Sequence, residues 1–205
     1  MWEVPSSLQK MARTLRELTF NSGGSPKQSF WLRLRMTLGR IVGCSQAHEE
    51  IVRQIRRVAN FDAEVLIMGA TGTGKEVYAR LVHASSPRAV RPFVPVNCGA
   101  LPGELFENEM FGHAGGAFTG AHSSSNGLIA EAEGGTLFLD EVDTLSLPSQ
   151  VKLLRFVQLR EYRRLGEARI RQADVRIVSA TNTDLTAPVS QSRFREDLFF
   201  RLRVI

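Results

Sequence analysis

The glycine-rich stretch Gly69–Lys75 constrains the fold of this chain more than any other segment. It follows the apolar run Val65–Met68, which is typical of a buried strand, and it precedes residues 76–83, whose apolar positions recur at helical spacing. A strand, a glycine loop, a lysine and a helix in this order predict a phosphate-binding loop, because glycines let successive backbone N–H groups converge on one anion at a helix N-terminus. Lys75 can then reach the β- and γ-phosphates of a nucleotide. The alternative, a glycine-rich turn without a ligand, is disfavoured by the strand and helix on either side.

A second strand, Thr136–Glu141, ends in two carboxylates. Glu76 stands where other phosphate loops place a Ser or Thr hydroxyl on magnesium, so Asp140 is the group suited to hold Mg²⁺. Glu141 could orient and deprotonate an attacking water. The alternative is that both carboxylates end a strand and cap the next turn. The predicted nucleotide-binding residues of the loop are Gly69, Ala70, Thr71, Gly72, Thr73, Gly74, Lys75 and Glu76.

Length and composition indicate one domain with a real core, because the chain has 205 residues, of which 43% are hydrophobic. No apolar run approaches the roughly 20 residues that span a bilayer, and the N-terminus lacks the pattern of a secretory signal. Cys44 and Cys98 make no disulfide framework, so we expect reduced thiols in a cytoplasmic protein.

The net charge of +5 is concentrated near the N-terminus, where residues 1–60 contain ten Lys and Arg against four Asp and Glu. We expect residues 1–40 to be a basic, weakly structured segment and linker that precedes a domain over residues 41–205. Contact of this segment with nucleic acid or an acidic partner is the alternative. No helix-turn-helix or zinc-ligand spacing accompanies the basic residues, so the chain alone does not support DNA binding.

Strands alternate with helices along the chain, which predicts an α/β fold with a parallel sheet covered by helices on both faces. The segment Leu147–Leu159 has amphipathic helical spacing, and its predicted apolar face contains Val151, Leu154 and Val157. The other predicted helices are Ser45–Asn60, Pro102–Phe111, Leu128–Glu133 and Phe194–Leu202, and the other predicted strands are Phe93–Asn97 and Val175–Ala180.

Three segments together resemble the AAA+ domain of bacterial sigma-54-dependent transcription activators, the enhancer-binding proteins. They are Gly69–Glu76, Gly116–Ala121 and Gly134–Glu141, and their order and spacing agree with that family over about residues 40–205. The resemblance implies a P-loop NTPase core of the AAA+ type that uses ATP and Mg²⁺. It also implies a contact with the sigma-54 subunit of RNA polymerase at the loop residues Gly116, Ala117, Phe118, Thr119, Gly120 and Ala121. Taken alone, Phe118 would more often be a core aromatic in a turn.

The resemblance further implies roles for polar residues that follow two other strands. Asn97 matches an asparagine that senses the nucleotide state by pairing with Glu141, whereas Thr181 and Asn182 match sensor residues near the γ-phosphate. Without the resemblance, Asn97 would be interpreted as a strand-end amide that satisfies a turn.

Arg195 and Arg201 match the two arginines that this family offers across a subunit interface to the neighbour's nucleotide. A guanidinium at that position stabilises the charge that develops during phosphoryl transfer. The implied assembly is a homo-oligomer, hexameric by resemblance, or a hetero-oligomer, and no membrane partner is implied. Either arginine alone would more often be a solvated helix charge.

The chain also departs from the family pattern. Ile205 falls inside the last strand of the α/β core, so the resemblance predicts that the helical lid and the helix-turn-helix are absent. Ala114-Gly115 replace an acidic and a basic residue, and Asp143 stands where many members have Gly.

Two functions of different classes remain open. One is an ATPase motor that remodels the sigma-54 holoenzyme, and the other is a nucleotide-binding or interaction fragment without turnover. A third class, a P-loop protein such as a helicase loader, is disfavoured by Gly116–Ala121.

Overall fold

The computed structural model describes residues 45–101 and 103–205. The predicted segment 1–40 and Cys44 therefore lie outside the described residues. The helices and strands follow one another as α1 (Gln46–Val58), β1 (Val65–Met68), α2 (Lys75–Ala84), β2 (Phe93–Asn97), α3 (Gly103–Phe111), α4 (Leu128–Glu131), β3 (Thr136–Asp140), α5 (Leu147–Leu159), β4 (Glu161–Tyr162), β5 (Arg171–Gln172), β6 (Arg176–Thr181), α6 (Thr186–Ser190) and α7 (Glu196–Leu202). Among these helices, none combines the length and the apolar character that crossing a membrane requires.

Four of the strands form a parallel sheet in the order β1-β6-β3-β2, which confirms the predicted α/β fold. β6 lies between β1 and β3, with Val65 opposite Val178 and Leu139 opposite Ser179. The carboxyl ends of all four strands meet at one edge of the sheet, where sheets of this type bind their ligands. β4 and β5 form a separate antiparallel pair.

Helices cover both faces of the sheet, as the side chains of β3 illustrate. Successive strand residues point to opposite faces. Leu137 and Leu139 are fully buried in one core with residues of α3, α5 and α7, whereas Phe138 is buried in a second core with residues of α1 and α2. The partners in the first core include Phe106, Leu153 and Leu198, and those in the second include Ile55, Ala79 and Leu81.

The predicted apolar face of α5 is only partly correct. Leu154 and Val157 are buried, but Val151 is 48% exposed. The buried face of this helix contains Ser149, Gln150, Leu153, Leu154, Phe156 and Val157, and Val151 lies just outside it. The polar residue Gln150 is therefore buried, whereas its apolar neighbour Val151, which the sequence pattern placed on the buried face, is not.

Element ends shift by one or two residues for identifiable reasons. α1 begins after Ser45, whose side chain caps the helix by accepting a hydrogen bond from the N–H of His48 at 3.2 Å. The strand predicted to reach Glu141 ends at Asp140, because Glu141 has a φ of 55°. Similarly, α7 begins at Glu196 because Arg195 is its extended N-cap.

A buried arginine joins the start of β6 to the end of α1. Arg176 is 2% exposed, and its guanidinium donates hydrogen bonds to the carbonyl oxygens of Ala59 at 2.7 Å, Val58 at 3.2 Å and Ala63 at 3.3 Å. Carbonyls near a helix C-terminus lack partners within the helix, so the arginine satisfies groups that would otherwise be buried unpaired. Burial lowers the pKa of Arg176 below its ordinary value.

Candidate nucleotide site

The phosphate loop connects β1 to α2 through two glycines in the left-handed region, Gly72 with a φ of 80° and Gly74 with a φ of 81°. A residue with a Cβ is strained in this conformation, which explains the glycines at these two positions. Lys75 is the first residue of α2, and only 9% of its surface is exposed. Its Nζ donates hydrogen bonds to the carbonyl oxygens of Gly69 at 2.9 Å and Ala70 at 3.1 Å. The loop therefore surrounds the ammonium group.

Glu76 follows Lys75, and its carboxylate is paired with an arginine of the same helix. It accepts two hydrogen bonds from Arg80, one turn further along α2, at 2.6 Å and 2.9 Å. Both side chains are well exposed. Glu76 is therefore next to the loop in sequence, but its carboxylate forms an ion pair on the surface of α2.

Asp140 and Glu141 lie at the carboxyl end of β3, with β6 between them and the phosphate loop. Asp140 is opposite Asn97 of the neighbouring strand, and its Oδ1 accepts a hydrogen bond from the backbone N–H of Glu141 at 3.0 Å. Glu141 is one of the few residues other than glycine with a positive φ in the described chain. Backbone strain of this kind is concentrated at functional sites, because it is retained where it aims a side chain.

Glu141 and Asn97 meet at Gly99. The Oε2 atom of Glu141 lies so close to Gly99 that a Cβ on this residue would collide with it, and the same Cβ would be 3.3 Å from Oδ1 of Asn97. Asn97 Oδ1 accepts a hydrogen bond from the N–H of Ala100 at 3.1 Å and so caps a short 3-10 turn. No hydrogen bond joins Asn97 directly to Glu141 in the part of the chain that the structure describes.

Thr181 is the last residue of β6, the strand adjacent to β1, and Asn182 follows it. The carbonyl oxygen of Thr181 accepts a hydrogen bond from the N–H of Gly69 at 3.2 Å, which ties this strand end to the start of the phosphate loop. Thr181 is completely buried, and its hydroxyl donates to Oδ1 of Asp143 at 2.6 Å. Asn182 is exposed at the same sheet edge.

The donor groups at this edge fit Mg²⁺ bound with a triphosphate. Asp140 offers a carboxylate oxygen, a hard ligand of the kind that Mg²⁺ prefers, and this ion is usually held by one or two carboxylates together with phosphate oxygens and water. Over residues 45–101 and 103–205, no group of three or more His, Cys, Asp and Glu side chains is arranged to hold a metal.

Cys98 is buried next to these acidic groups. Burial, together with the charges of Asp140, Asp143 and Glu141, raises the pKa of its thiol to about 12. The thiol is therefore protonated at neutral pH, which makes it a poor nucleophile.

Arg201 is exposed on α7, whereas Arg195, the N-cap residue of this helix, is partly buried. Arg195 donates two hydrogen bonds to the carboxylate of Asp197, at 2.7 Å and 3.0 Å. This contact lowers the pKa of Asp197 below its ordinary value. Within the described residues, no hydrogen bond joins either arginine to the phosphate loop, so a single chain does not bring them to it.

The backbone of Arg195 is held by a residue that sequence reasoning missed. Gln150 is completely buried, and its Oε1 accepts a hydrogen bond from the N–H of Arg195 at 2.8 Å. Its Nε2 donates to the carbonyl oxygens of Leu145 at 2.8 Å and Arg193 at 3.0 Å. In the sequence, the feature that could have indicated this role is a polar residue among the apolar positions of α5, because a buried polar side chain needs hydrogen-bond partners.

The loop Gly116–Ala121 is closed by its own hydrogen bonds. The N–H of Gly116 donates to the carbonyl of Ala121 at 2.8 Å, and the N–H of Ala121 donates to that of Phe118 at 3.0 Å. Phe118 is 43% exposed, and its ring lies edge-on to His113 with 5.1 Å between the ring centroids. The loop therefore presents an aromatic side chain that is partly open to a partner.

Comparison with known proteins identifies relatives over the same residues. The family model described as the sigma-54 interaction domain matches residues 41–205. Transcriptional regulatory protein GlrR of Escherichia coli is 53% identical over 155 residues, which are 76% of this chain and 35% of that protein. The Nif-specific regulatory protein of Rhodobacter capsulatus is 51% identical over 170 residues, which are 83% of this chain and 29% of that protein.

Solved structures agree with the fold. NtrX from Brucella abortus in complex with ATP matches with a TM-score of 0.74 and 38% identity, over 81% of this chain and 36% of that one. The P-loop NTPase domain of a sigma-54 activator from Escherichia coli has a TM-score of 0.52 at 24% identity and shows the fold alone. This chain spans about a third of the length of GlrR, of the Nif-specific regulatory protein and of NtrX. Because the family model covers most of the sequence, the chain belongs to the sigma-54-dependent transcriptional activators, whose sigma-54 interaction domain it contains.

Proposed function

We propose that this chain is an ATPase that couples ATP hydrolysis to remodelling of the sigma-54 RNA polymerase closed complex through Gly116–Ala121. One observation carries the proposal. Three neighbouring parallel strands end at one sheet edge in the groups that a triphosphate needs: β1 in the phosphate loop, β6 in Thr181 and Asn182, and β3 in Asp140 and Glu141. The ATP complex of NtrX, which shares this fold, supports the assignment of the nucleotide.

Nucleotide binding is assigned to the phosphate loop. Its backbone N–H groups and the N-terminus of α2 attract the phosphates, and the ammonium of Lys75 is already held at the centre of the loop by Gly69 and Ala70. A charge that is positioned in advance stabilises an anion without reorganisation at the moment of reaction. Asp140 would hold Mg²⁺, which when bound offsets the negative charge of the phosphates.

Hydrolysis is assigned to Glu141 in the same chain and to Arg195 and Arg201 of a neighbouring one. Glu141 positions the attacking water and accepts its proton. Arg201 is exposed on α7, and the side chain of its N-cap residue Arg195 is 40% exposed, so we propose that both face the nucleotide of an adjacent subunit. A functional site therefore needs an oligomer, proposed as a ring of identical or related chains.

Coupling to sigma-54 is assigned to the contact around Gly99. Asn97 and Glu141 both lie against this residue, so release of the γ-phosphate can change their contact and thereby the position of the loop that carries Phe118 and Thr119. The partly exposed ring of Phe118 supplies an apolar contact for the partner. Since the proposed partner is a subunit of RNA polymerase, the proposed place of action is the bacterial cytoplasm.

The first test is steady-state ATP hydrolysis by the purified chain over a series of protein concentrations. We expect the specific rate to rise cooperatively with concentration, because the arginines act in a neighbouring subunit. Lys75→Ala should abolish it, whereas Lys152→Ala, which removes a half-exposed lysine paired with Glu107, should not. Tight nucleotide binding without turnover would contradict the ATPase and favour the alternative, a nucleotide-binding or interaction module.

The second test is nucleotide-dependent binding to purified sigma-54, measured with ADP and aluminium fluoride as the γ-phosphate mimic. Phe118→Ala should abolish binding, whereas Phe61→Ala, which removes another exposed phenylalanine, should preserve it. Asn97→Ala should uncouple binding from the nucleotide. Unchanged nucleotide dependence in Asn97→Ala would count against the coupling route.

A further inference from the structure

Asp143 connects the turn after Glu141 to the end of β6. It lies in the short 3-10 turn Val142–Thr144, and its Oδ1 accepts a hydrogen bond of 2.6 Å from the hydroxyl of Thr181. The two residues are 38 positions apart in the chain. A hydrogen bond to a carboxylate is short and roughly twice as strong as one between neutral groups. The contact therefore fixes the rotamer of a completely buried threonine.

The orientation of Thr181 determines what its hydroxyl can accept. A hydroxyl has one proton to donate, and its two acceptors here are Oδ1 of Asp143 at 2.6 Å and the carbonyl oxygen of Thr183 at 3.2 Å. The proton goes to Asp143, because this contact is shorter and its acceptor is a carboxylate. The Oγ1 lone pairs are then free to accept the backbone N–H of Thr183, which lies 3.1 Å away. Asp143 thus controls the turn that carries Asn182 and Thr183, through one buried hydroxyl.

Thr183 in turn orients the side chain of Asn182. Its hydroxyl is 2.7 Å from Oδ1 of Asn182 and 3.5 Å from Oδ2 of Asp143, so the shorter contact takes the single proton. With Oδ1 of Asn182 accepting from Thr183, the NH₂ group of the amide is turned to the other side. An amide NH₂ is a donor, which is the group that a phosphate oxygen requires.

We propose that Asp143 is a positioning residue that, through Thr181 and Thr183, holds the amide of Asn182 with its NH₂ group toward the γ-phosphate. This inference rests on the proposed function, because it assumes that ATP binds at this sheet edge. It deepens that function by assigning the discrimination between ATP and ADP to a network of Asp143 and two threonines. ADP has no γ-phosphate, so its binding does not depend on the network.

The experiment measures equilibrium binding of ADP and of ATPγS, a slowly hydrolysed analogue, to the chain and its variants. In Asp143→Ala we expect the preference for ATPγS over ADP to fall about tenfold, the loss expected for one hydrogen bond to a charged group. The affinity for ADP should stay within about twofold. Asp143→Asn retains an oxygen that accepts from Thr181, so it should restore most of the preference.

Thr183→Val supplies a second variant that does not depend on the folding of Asp143→Ala. Thr183 is exposed, so this change tests the orientation of Asn182 with little risk to the fold, and it should reduce the preference to a similar extent. The control is Asp62→Ala, which removes an exposed aspartate while Arg88 keeps its contact with Asp174. It should leave both affinities unchanged.

The outcomes separate the inference from the proposed function. If the unmodified chain binds neither nucleotide, both are overturned. If it binds ATPγS more tightly than ADP and Thr183→Val keeps that preference, only the role of the network is overturned. An equal loss of both affinities in Asp143→Ala, without rescue by Asp143→Asn, would also overturn the inference, because it would indicate a structural role alone.

Discussion

The carboxylate of Glu141 lies directly against Gly99, a residue from the neighbouring strand end, and leaves no room for a Cβ there. Gly99 has no positive φ, so its backbone would accept alanine without strain. The space above this glycine is therefore occupied by the side chain that we propose as the catalytic base. A glycine at this position sets where that carboxylate can be.

Gly99→Ala should consequently impair turnover while leaving the fold and nucleotide binding intact. The added methyl group displaces the flexible end of Glu141, and misplacing a catalytic group by about 1 Å can cost a hundredfold in rate. We expect kcat to fall at least about tenfold while the Kd for ADP stays within about twofold. Single-turnover hydrolysis and equilibrium binding measure the two quantities.

The matched control for this substitution is Gly115→Ala. A Cβ at Gly115 would meet no atom within 4 Å, and this residue precedes the proposed sigma-54 loop. Hydrolysis by Gly115→Ala should match that of the unmodified chain. Full activity in Gly99→Ala would show that the position of Glu141 over Gly99 does not matter for turnover.

Gln150→Leu should destabilise the fold strongly. The substitution keeps the volume of the side chain but leaves the carbonyls of Leu145 and Arg193 and the N–H of Arg195 without their partner. Burying unsatisfied polar groups costs about 1–3 kcal/mol for each, partly relieved by relaxation, so we expect a loss of roughly 3 kcal/mol in the free energy of unfolding. Urea denaturation followed by circular dichroism provides the measurement.

Gln54→Leu is the comparison, because Gln54 is an exposed glutamine on α1. Its effect on the free energy of unfolding should lie within about 0.5 kcal/mol. Equal effects of the two substitutions would show that the hydrogen bonds of Gln150 contribute nothing specific.

Arg176→Met should also destabilise the fold, through the junction of β6 and α1. Methionine retains much of the apolar stem but cannot donate to the carbonyls of Val58, Ala59 and Ala63. We expect a loss of roughly 3 kcal/mol in the free energy of unfolding, because each backbone carbonyl left buried without a donor costs about 1–3 kcal/mol, partly relieved by relaxation. Arg57→Met, at an exposed position of α1, should be close to neutral. A similarly small effect of Arg176→Met would contradict the anchoring role.

Cys98 should be unreactive at neutral pH and should make stability depend on pH in the alkaline range. Its pKa rises from 9.0 to about 12 on folding, so between these values the folded chain binds the proton more tightly than the unfolded chain. The contribution to stability is complete below pH 9 and is lost as pH rises toward 12. Urea unfolding at pH 8 and pH 10.5 should show this loss, and Cys98→Ala should reduce it.

Thiol labelling supplies an independent measurement. In a Cys44→Ser background Cys98 is the remaining thiol of the sequence. We expect slow alkylation by iodoacetamide at pH 8 and rapid alkylation after unfolding in urea, because the buried thiol is protonated. Rapid labelling of the folded chain at pH 8 would contradict the raised pKa.

Much of the local structure follows from local pattern. Gly72 and Gly74 supply positive φ values between an apolar strand and a helix, and the loop formed there because each requirement is met within a few residues. The helix Leu147–Leu159 has the predicted bounds, since Ser146 caps it and Pro148 suits its first turn. Periodicity failed on one turn of that helix, where the polar residues Ser149 and Gln150 are buried and the apolar residue Val151 is exposed.

Local sequence patterns were enough to predict the α/β class, the family motifs, the phosphate loop with Lys75 and the strand ends at Asp140 and Asn182. They did not predict that β6 lies between β1 and β3, or that Thr181 consequently contacts both Gly69 and Asp143. Turn residues and apolar spacing encode the conformation of neighbouring residues, whereas contacts such as Asp143–Thr181 depend on strand order and on packing that no local pattern specifies.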